Sequence, residues 1–360
     1  MKILQVITSL RMGGAEKLVA DMVPRMIQYG HQVDVLVFDG TETPLKQELE
    51  KKGVTIFSLS MGGAIYNPLY IIKLVSYLQR YDIIHTHNTA CQLFVALASK
   101  LCPARIITTE HSTNNRRRNW KWYKTIDRWM YNQYKMIVCI SDIAEKKLKG
   151  YLHHCQYRIT TIYNGIDIFR FANANPNTKL KEEAKNRIIL SMVAGFRYEK
   201  DQDTLIRSLK YLPIGQYEVW LIGDGERKSQ LQKLCQKEQV DNYVRFLGIR
   251  NDIPEILKAS DIIIMSSHFE GLSLSSIEGM ASGRPFIASD VDGLRDITLG
   301  AGILFPEGNE KILSQNIQKL IKDKTLYNET AQQCMIRAAK YDIQHTTNNY
   351  LKIYQESKYD

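Results

Sequence analysis

The chain has 360 residues, 44% of them hydrophobic and 24% charged, which fits a soluble globular protein of two domains at about 150 residues each. No run approaches the roughly 18 apolar residues that a transmembrane helix needs, and the six cysteines, with no C-x-x-C pair, exclude a metal-ligand spacing and read as reduced and mostly buried. The net charge of +10 lies wholly in residues 1–173, with 23 Lys and Arg against 13 Asp and Glu, while residues 174–360 hold 25 of each; the first half therefore points to an anionic partner such as an acidic membrane surface, a phosphate-bearing acceptor or nucleic acid.

Residues 3–7 read as a first apolar strand, too short for the core of a signal peptide, so a cytoplasmic protein is expected. The strand runs into Gly13 and Gly14, where a glycine pair lets backbone approach a ligand before a helix begins near Ala15. That turn lacks the G-x-G-x-x-G spacing of dinucleotide enzymes, which counts against a nicotinamide cofactor. Further strands are predicted over residues 33–38, 55–59, 83–85, 105–109 and 136–140, alternating with amphipathic stretches as in a parallel sheet covered by helices. His85 and His87 close one strand and His111 follows the next; a histidine so placed is either hydrogen-bonded scaffold or a group facing substrate. Between residues 114 and 135, Arg116, Arg117, Arg118, Lys121, Lys124, Arg128 and Lys135 alternate with Trp120, Trp122, Tyr123, Trp129, Tyr131 and Tyr134. Cations with aromatics suit the headgroup layer of a bilayer; a solvated helix with its aromatics packed inward reads the same way.

Residues 168–187, rich in Asn, Lys and Glu, look like a surface linker. Strands resume over residues 188–193, 218–222, 244–247, 262–265, 285–288 and 302–304. The first of these leaves Arg197 and Lys200 at its carboxyl end, where cations neutralise charge on a departing diphosphate or simply decorate a surface loop. Gly223-Asp224-Gly225 follows the next strand, a weak signal that equally marks a strand-to-helix turn. After the strand at residues 262–265 comes Glu270-Gly271-Leu272-Ser273-Leu274-Ser275-Ser276-Ile277-Glu278. Two acids flank a turn into an apolar helix that stops at Gly283, with Pro285 just beyond. Backbone N–H groups of Leu272, Ser273 and Leu274 at such a helix start bind an anion without a cationic side chain. Ser275 and Glu278 also have the spacing of a capping box, in which Glu278 is purely structural. Glu270 sits in a loop at the carboxyl end of a strand, where open parallel sheets place their ligands. Asp290-Val291-Asp292 has the spacing of a metal motif but follows a later strand, and no metal site is expected.

The E-x7-E segment resembles the signature of family 4 glycosyltransferases, retaining enzymes of GT-B fold, and other segments agree in order over nearly all of residues 1–300. Gly13 and Gly14 are similar to the family's turn after the first strand, His111 matches its histidine near the reacting sugar, and Asn164-Gly165-Ile166-Asp167 matches the N-G-x-D segment closing its first domain. Lys200 falls on the lysine of its G-R-x4-K region, with Gly195 in the arginine's place and Arg197 two residues on. Gly223 and Gly225 match its G-x-G turn, and Phe246-Leu247-Gly248 its F-L-G segment, which puts Ile249 and Arg250 beside the nucleobase.

The resemblance implies an α/β chain of two Rossmann-like domains with a cleft between them: residues 1–170 binding the acceptor, residues 171–340 binding a nucleotide-sugar, and residues 341–360 forming a helix that packs back on the first domain. It implies hexosyl or N-acetylhexosaminyl transfer to a glycan or polyprenyl-linked acceptor in cell-surface polysaccharide synthesis, with no metal, no cofactor and no nucleic acid partner. The route it implies is front-face attack, the leaving phosphate taking the acceptor's proton. Glu270, His111, Arg197 and Lys200 are then catalytic candidates, Glu270 touching the donor sugar. Donor contacts are Gly13, Gly14, Gly223, Gly225, Ile249, Arg250, Leu272, Ser273, Leu274 and Glu278, the last on the ribose. Arg116, Arg117, Arg118, Trp120 and Trp122 become an acceptor or membrane surface, with the protein peripheral on the inner face of the membrane. Two readings of other classes stay open. One is an oxidoreductase or nucleotide-sugar epimerase, against which the missing G-x-G-x-x-G counts; the other is a non-catalytic sugar-nucleotide or membrane-binding scaffold, for which Gly195 leaves room.

Overall fold

Strand β1, Lys2–Ile7, sets the pattern of the first half. Ile3 and Ile7 enter one apolar core while Leu4 and Val6 enter another, as the two-residue period of a strand requires, and a sheet buried on both faces is typically parallel. The computed structural model describes residues 1–11, 13–63, 65–111, 120, 123–152 and 158–359. Among them β1, β2 (Gln32–Asp39), β3 (Ile56–Ser60), β4 (Ile83–His87), β5 (Ile106–Glu110), β6 (Met136–Cys139) and β7 (Ile159–Thr161) form a parallel sheet in the order β3-β2-β1-β4-β5-β6-β7. Met1–Gly165 and Ile343–Asp360 make up this first unit. The closing helix, Ile343–Tyr359, inserts Ile343, Tyr350 and Tyr354 into one of its cores. Each large apolar side chain buried in this way contributes roughly 1.5–3 kcal/mol, which ties the end of the chain to its beginning.

The second unit, Ile166–Asp342, repeats the plan. Among the described residues β8 (Ile188–Val193), β9 (Tyr217–Ile222), β10 (Val244–Gly248), β11 (Ile262–Met265), β12 (Phe286–Ser289) and β13 (Ile303–Phe305) pair in the order β10-β9-β8-β11-β12-β13. In each sheet the strand order reverses beside the first strand, between β1 and β4 and between β8 and β11. Loops leaving the carboxyl ends of such neighbours diverge and open a crevice.

Several sequence expectations need correction. By packing, the chain divides after Gly165, and the closing helix runs over Ile343–Tyr359. The stretch 168–187 is no linker. It forms the helices Ile168–Ala172 and Thr178–Glu183, capped by Asp167 and Asn177, which accept from Arg170 N at 3.0 Å and Leu180 N at 3.1 Å. Phe171, Leu180 and Ala184 are buried; a few apolar anchors hold short capped helices that a polar composition conceals. Strand β7 is missing from the predicted strands because its three half-buried residues are too few to show a period of two. The other predicted strands are present, their ends moved by one or two residues. Among the described residues no helix is long and apolar enough to cross a membrane. Five cysteines are free and buried, and Cys155 lies outside the described residues.

Candidate active site

At the reversal point of the second sheet, the loop after β8 carries Arg197 and Lys200 and the loop after its neighbour β11 carries Glu270. The loops meet through their charges. Lys200 Nζ donates to Glu270 Oε1, which also accepts from Ser267 Oγ at 3.0 Å. The pair is sheltered, the Glu270 side chain 10% exposed and that of Lys200 26%. Backbone bonds fix the same junction: His268 N donates to Glu199 O at 2.9 Å and Ser266 Oγ to Asp201 O at 2.6 Å. Asp201, at φ +45°, caps the helix Gln202–Ser208 by accepting from Thr204 N at 3.3 Å, and it accepts from Thr204 Oγ1 at 2.6 Å as well. Burial pushes its carboxyl above the usual range, opposed by the Thr204 bonds and by His268 nearby. Gly293 completes the arrangement. A Cβ there would stand 2.3 Å from Gly271 O and 2.4 Å from Glu270 O, at φ +81°, so only glycine lets the loop after β12 press against the Glu270 peptide.

The helix Leu274–Ala281 starts next to this loop, and its cap corrects the sequence reading. Ser273 is the cap, its Oγ accepting from Ser276 Oγ at 2.9 Å and from Ser276 N at 3.4 Å. Glu278 therefore lies too deep in the helix to be the third-position partner of a capping box. The N–H groups of Ser273, Leu274 and Ser275 have no carbonyl one turn earlier within the helix. That leaves a helix start with positive partial charge beside the Lys200–Glu270 pair.

Gly223 and Gly225 have a packing explanation. Cβ atoms there would stand 2.2 Å from Ala194 O and 2.5 Å from Phe196 O, while Phe196 N donates to Asp224 O at 3.0 Å. The two glycines let the loop after β9 lie on the loop after β8. Arg197 Nε lies 3.8 Å from where a Cβ of residue 195 would be, so its side chain folds back over Gly195. Arg250 is held by Asp252 at 2.8 and 2.6 Å, a double hydrogen bond that raises the guanidinium pKa and lowers that of the carboxyl. Ile249 beside it is 73% exposed. Among the described residues no group of three His, Cys, Asp or Glu is placed to hold a metal ion, and Asp290 is paired with Arg295 Nε at 2.5 Å.

The reversal point of the first sheet is built differently. Gly13 caps the helix Gly14–Gln28, and a Cβ on Gly13 would stand 2.2 Å from Glu16 Oε2. Asn88 Nδ2, just past β4, donates to Glu16 Oε1 at 3.3 Å, joining the turns after β1 and β4. His111, just past β5, meets His87 at 2.8 Å, and His87 meets Gln5 Oε1 at 2.8 Å. Gln5 Nε2 donates to Tyr354 Oη at 3.1 Å, which lies 2.5 Å from His85 Nδ1, and His85 Nε2 lies 2.7 Å from Thr109 Oγ1. Burial lowers the pKa of all three histidines, that of His111 to about 4 and those of His85 and His87 well below the ordinary value. They are neutral at pH 7. His85 and His87 are wholly enclosed by the sheet and the closing helix, which leaves His111 as the histidine at the edge. Sequence reasoning passed over Gln5, Asn88, Ser267 and Gly293; of these only His87-Asn88 at a strand end carried a visible signal.

The basic-aromatic stretch is divided. Tyr131 and Tyr134 are buried, while Trp120 and Trp129 are exposed. Arg116, Arg117, Arg118, Lys121 and Trp122 lie outside the described residues.

Two doubly wound parallel sheets, with a charged crevice in one and a polar edge in the other, define a class, the two-domain chains built from paired Rossmann-like units. A family model described as Glycosyltransferase Family 4 matches residues 12–170, and one described as Glycosyl transferases group 1 matches residues 175–340. The solved structure of Anabaena HepE in complex with UDP has a TM-score of 0.83 at 21% identity, covering 99% of this chain and 100% of that one. EpsF of Bacillus subtilis, provisionally named a glycosyltransferase, is 26% identical over 313 residues, 80% of this chain and 79% of EpsF. The UDP-Gal:alpha-D-GlcNAc-diphosphoundecaprenol alpha-1,3-galactosyltransferase of Escherichia coli is 28% identical over 229 residues, 60% of this chain and 59% of that enzyme. The chain belongs to the family 4 glycosyltransferases and has the GT-B fold.

Proposed function

We propose that the protein transfers a hexosyl or N-acetylhexosaminyl group from a nucleotide-sugar to a glycan or polyprenyl-linked acceptor, with retention of anomeric configuration and without a metal ion, in cell-surface polysaccharide synthesis. The observation that carries this reading is the Lys200–Glu270 pair at the β8–β11 reversal, beside the open start of the helix Leu274–Ala281. A diphosphate seated there meets Lys200, Arg197 and the helix N–H groups, which take up the charge that grows as it departs. Lys200 turning towards phosphate frees Glu270 Oε1 for a sugar hydroxyl. The bond from the sugar's anomeric carbon to the phosphate oxygen breaks, the acceptor oxygen bonds the same face, and its proton passes to the departing phosphate. Glu278 is assigned to the ribose.

The complexes of HepE with UDP and with UDP-glucose, and the UDP-galactose donor and lipid-linked acceptor of the Escherichia coli relative, favour a uridine nucleotide and a polyprenyl-linked acceptor. Arg116, Arg117 and Arg118 with Trp120 and Trp122 then meet an anionic membrane. A thermal-shift screen against UDP-, GDP- and ADP-sugars tests the assignment, since a ligand at 100 times its Kd adds about 2.7 kcal/mol of stability. One nucleotide class should raise the melting temperature and be hydrolysed or transferred. Binding without any turnover would favour the scaffold reading, and no shift with any nucleotide-sugar would remove the donor site.

A further inference from the structure

The second unit carries charge at both ends of its strands. Where β8, β9 and β10 begin, a cavity of about 520 Å³ is lined by Lys185, Arg187 and Arg245 together with Glu183, Glu218 and Tyr243, a volume usual for small-molecule sites. It lies at the opposite ends of the strands from the crevice that holds Lys200 and Glu270.

Glu218 is the fixed point of the cluster. Its carboxylate is buried and accepts from Arg187 Nη1 at 3.0 Å and from Trp220 Nε1 at 2.7 Å. Arg187 is set over the Tyr243 ring, 5.1 Å from its centre, which favours one placement of the guanidinium. Arg245 is held less firmly. Its Nη1 stands 3.6 Å from Glu218 Oε1, and its Nη2 donates to Glu183 at 2.7 Å. That last pair is exposed, by 31% and 42% of the two side chains, and an exposed pair contributes little and exchanges partners readily. Lys185 stands at the rim under strain. Arg187 N donates to Ala184 O at 3.0 Å and closes a turn whose central residues, Lys185 and Asn186, are both at positive φ, +52° and +62°. Such turns favour glycine, and strain of this kind is typical of ligand clamps.

The charges decide what the cavity suits. With Glu183 turned out to water, three cations face one carboxylate. A carboxylate ligand would only replace Glu183. A phosphate group carries about −1.5 to −2 charges at pH 7, and its oxygens match two guanidinium groups and an ammonium.

We propose that this cavity is a second anion site, separate from the crevice, for a phosphate-bearing small molecule whose phosphate meets Lys185, Arg187 and Arg245 and displaces Glu183 from Arg245. A smaller cavity of about 180 Å³, lined in part by Leu209, Leu212 and Val240, shares the Tyr243 wall, so the carbon body of the ligand lies along Tyr243. The site goes beyond the transferase reading and stands whether or not that reading holds.

Trp220 supplies the probe, being wholly buried and bonded to the carboxylate that Arg187 holds. In the full chain labelled with 5-fluorotryptophan, with Trp220 assigned by Trp220→Phe, inorganic diphosphate should move the Trp220 fluorine signal and saturate at millimolar concentration. The shift should persist in Lys200→Ala, which removes a cation from the crevice. Lys185→Gly removes the ammonium and relieves the positive φ, so it should fold at least as stably as the wild type and bind diphosphate about tenfold more weakly. Arg245→Gln should weaken binding by a similar factor. Phenyl phosphate should bind more tightly than inorganic phosphate because its ring covers Tyr243. A Trp220 signal that never moves, a shift that vanishes in Lys200→Ala, or an affinity unchanged in both Lys185→Gly and Arg245→Gln overturns the site. Equal affinities for phenyl phosphate and inorganic phosphate overturn the placement along Tyr243.

Discussion

The two units share a strand order and differ in what they place where that order reverses. In the second, opposite charges from neighbouring loops meet beside an open helix start: Lys200, Glu270 and the cap at Ser273. In the first, neutral groups line up, and His111, His87, Gln5, Tyr354 and His85 form one hydrogen-bonded row with its ionisation suppressed by burial. The fold supplies the place twice, and the side chains decide its use. A charged crevice suits a leaving diphosphate; a neutral hydrogen-bonded row holds no charge to offer one.

The charged side should break hardest. Glu270→Ala should lower kcat by about 100-fold or more, equivalent to about 2.7 kcal/mol of lost transition-state contact, whereas Glu278→Ala should chiefly weaken donor binding. Near-normal steady-state kinetics in a folded Glu270→Ala protein would remove Glu270 from the chemistry.

Acid should separate the units next. His85, His87 and His111 have folded pKa values below the unfolded value of about 6.5, so the unfolded chain binds more protons between the two. Their contribution is complete above about pH 6.5 and is lost as pH falls towards the folded values, near 4 for His111, by up to about 1.4 kcal/mol per pH unit for each group. Hydrogen exchange at pH 7 and pH 5 should show the first unit losing protection before the second. Equal loss in both units would mean that the buried histidines do not govern acid stability.

Gly293→Ala probes the packing under Glu270. The methyl would collide with two carbonyl oxygens at a positive φ, and a loss of about 2 kcal/mol in urea unfolding is expected; an unchanged midpoint would show that the loop gives way freely. The smallest effect per residue belongs to the basic stretch. Arg116, Arg117 and Arg118 replaced by serine should each lose about 1 kcal/mol of attraction to anionic liposomes at low salt, fading as salt rises. Equal sedimentation of wild type and variant would return the stretch to an ordinary solvated surface.

Much of the second edge was legible in the sequence because its parts are local. An apolar strand, a loop acid and a helix start follow one another from residue 262 to residue 281, and a spacing rule captures them. The cap was misplaced because Ser275 and Glu278 fit the box spacing, while the helix begins at Leu274 and takes Ser273. That Lys200 meets Glu270 depended on sheet order, which no local pattern contains. Less of the first edge could be read. Gln5 and Tyr354 lie 349 residues apart, and three histidines near strand ends look alike until burial sorts two of them into scaffold. The helices at Ile168–Ala172 and Thr178–Glu183 were hidden by their polar composition, although Asp167 and Asn177 were readable as caps.

The central claim, retaining transfer with the leaving phosphate's charge held by Lys200, Arg197 and a helix start rather than by a metal, is tested most directly by following one reaction in excess EDTA. An α-linked nucleotide-sugar chosen by the thermal-shift screen and an α-GlcNAc-diphospholipid acceptor would be incubated with the wild type, and the anomeric configuration of the product read by proton NMR. An α-linked product, formed at the same rate with and without EDTA, is the predicted result. A β-linked product, or transfer lost on chelation and restored by magnesium or manganese, would contradict it.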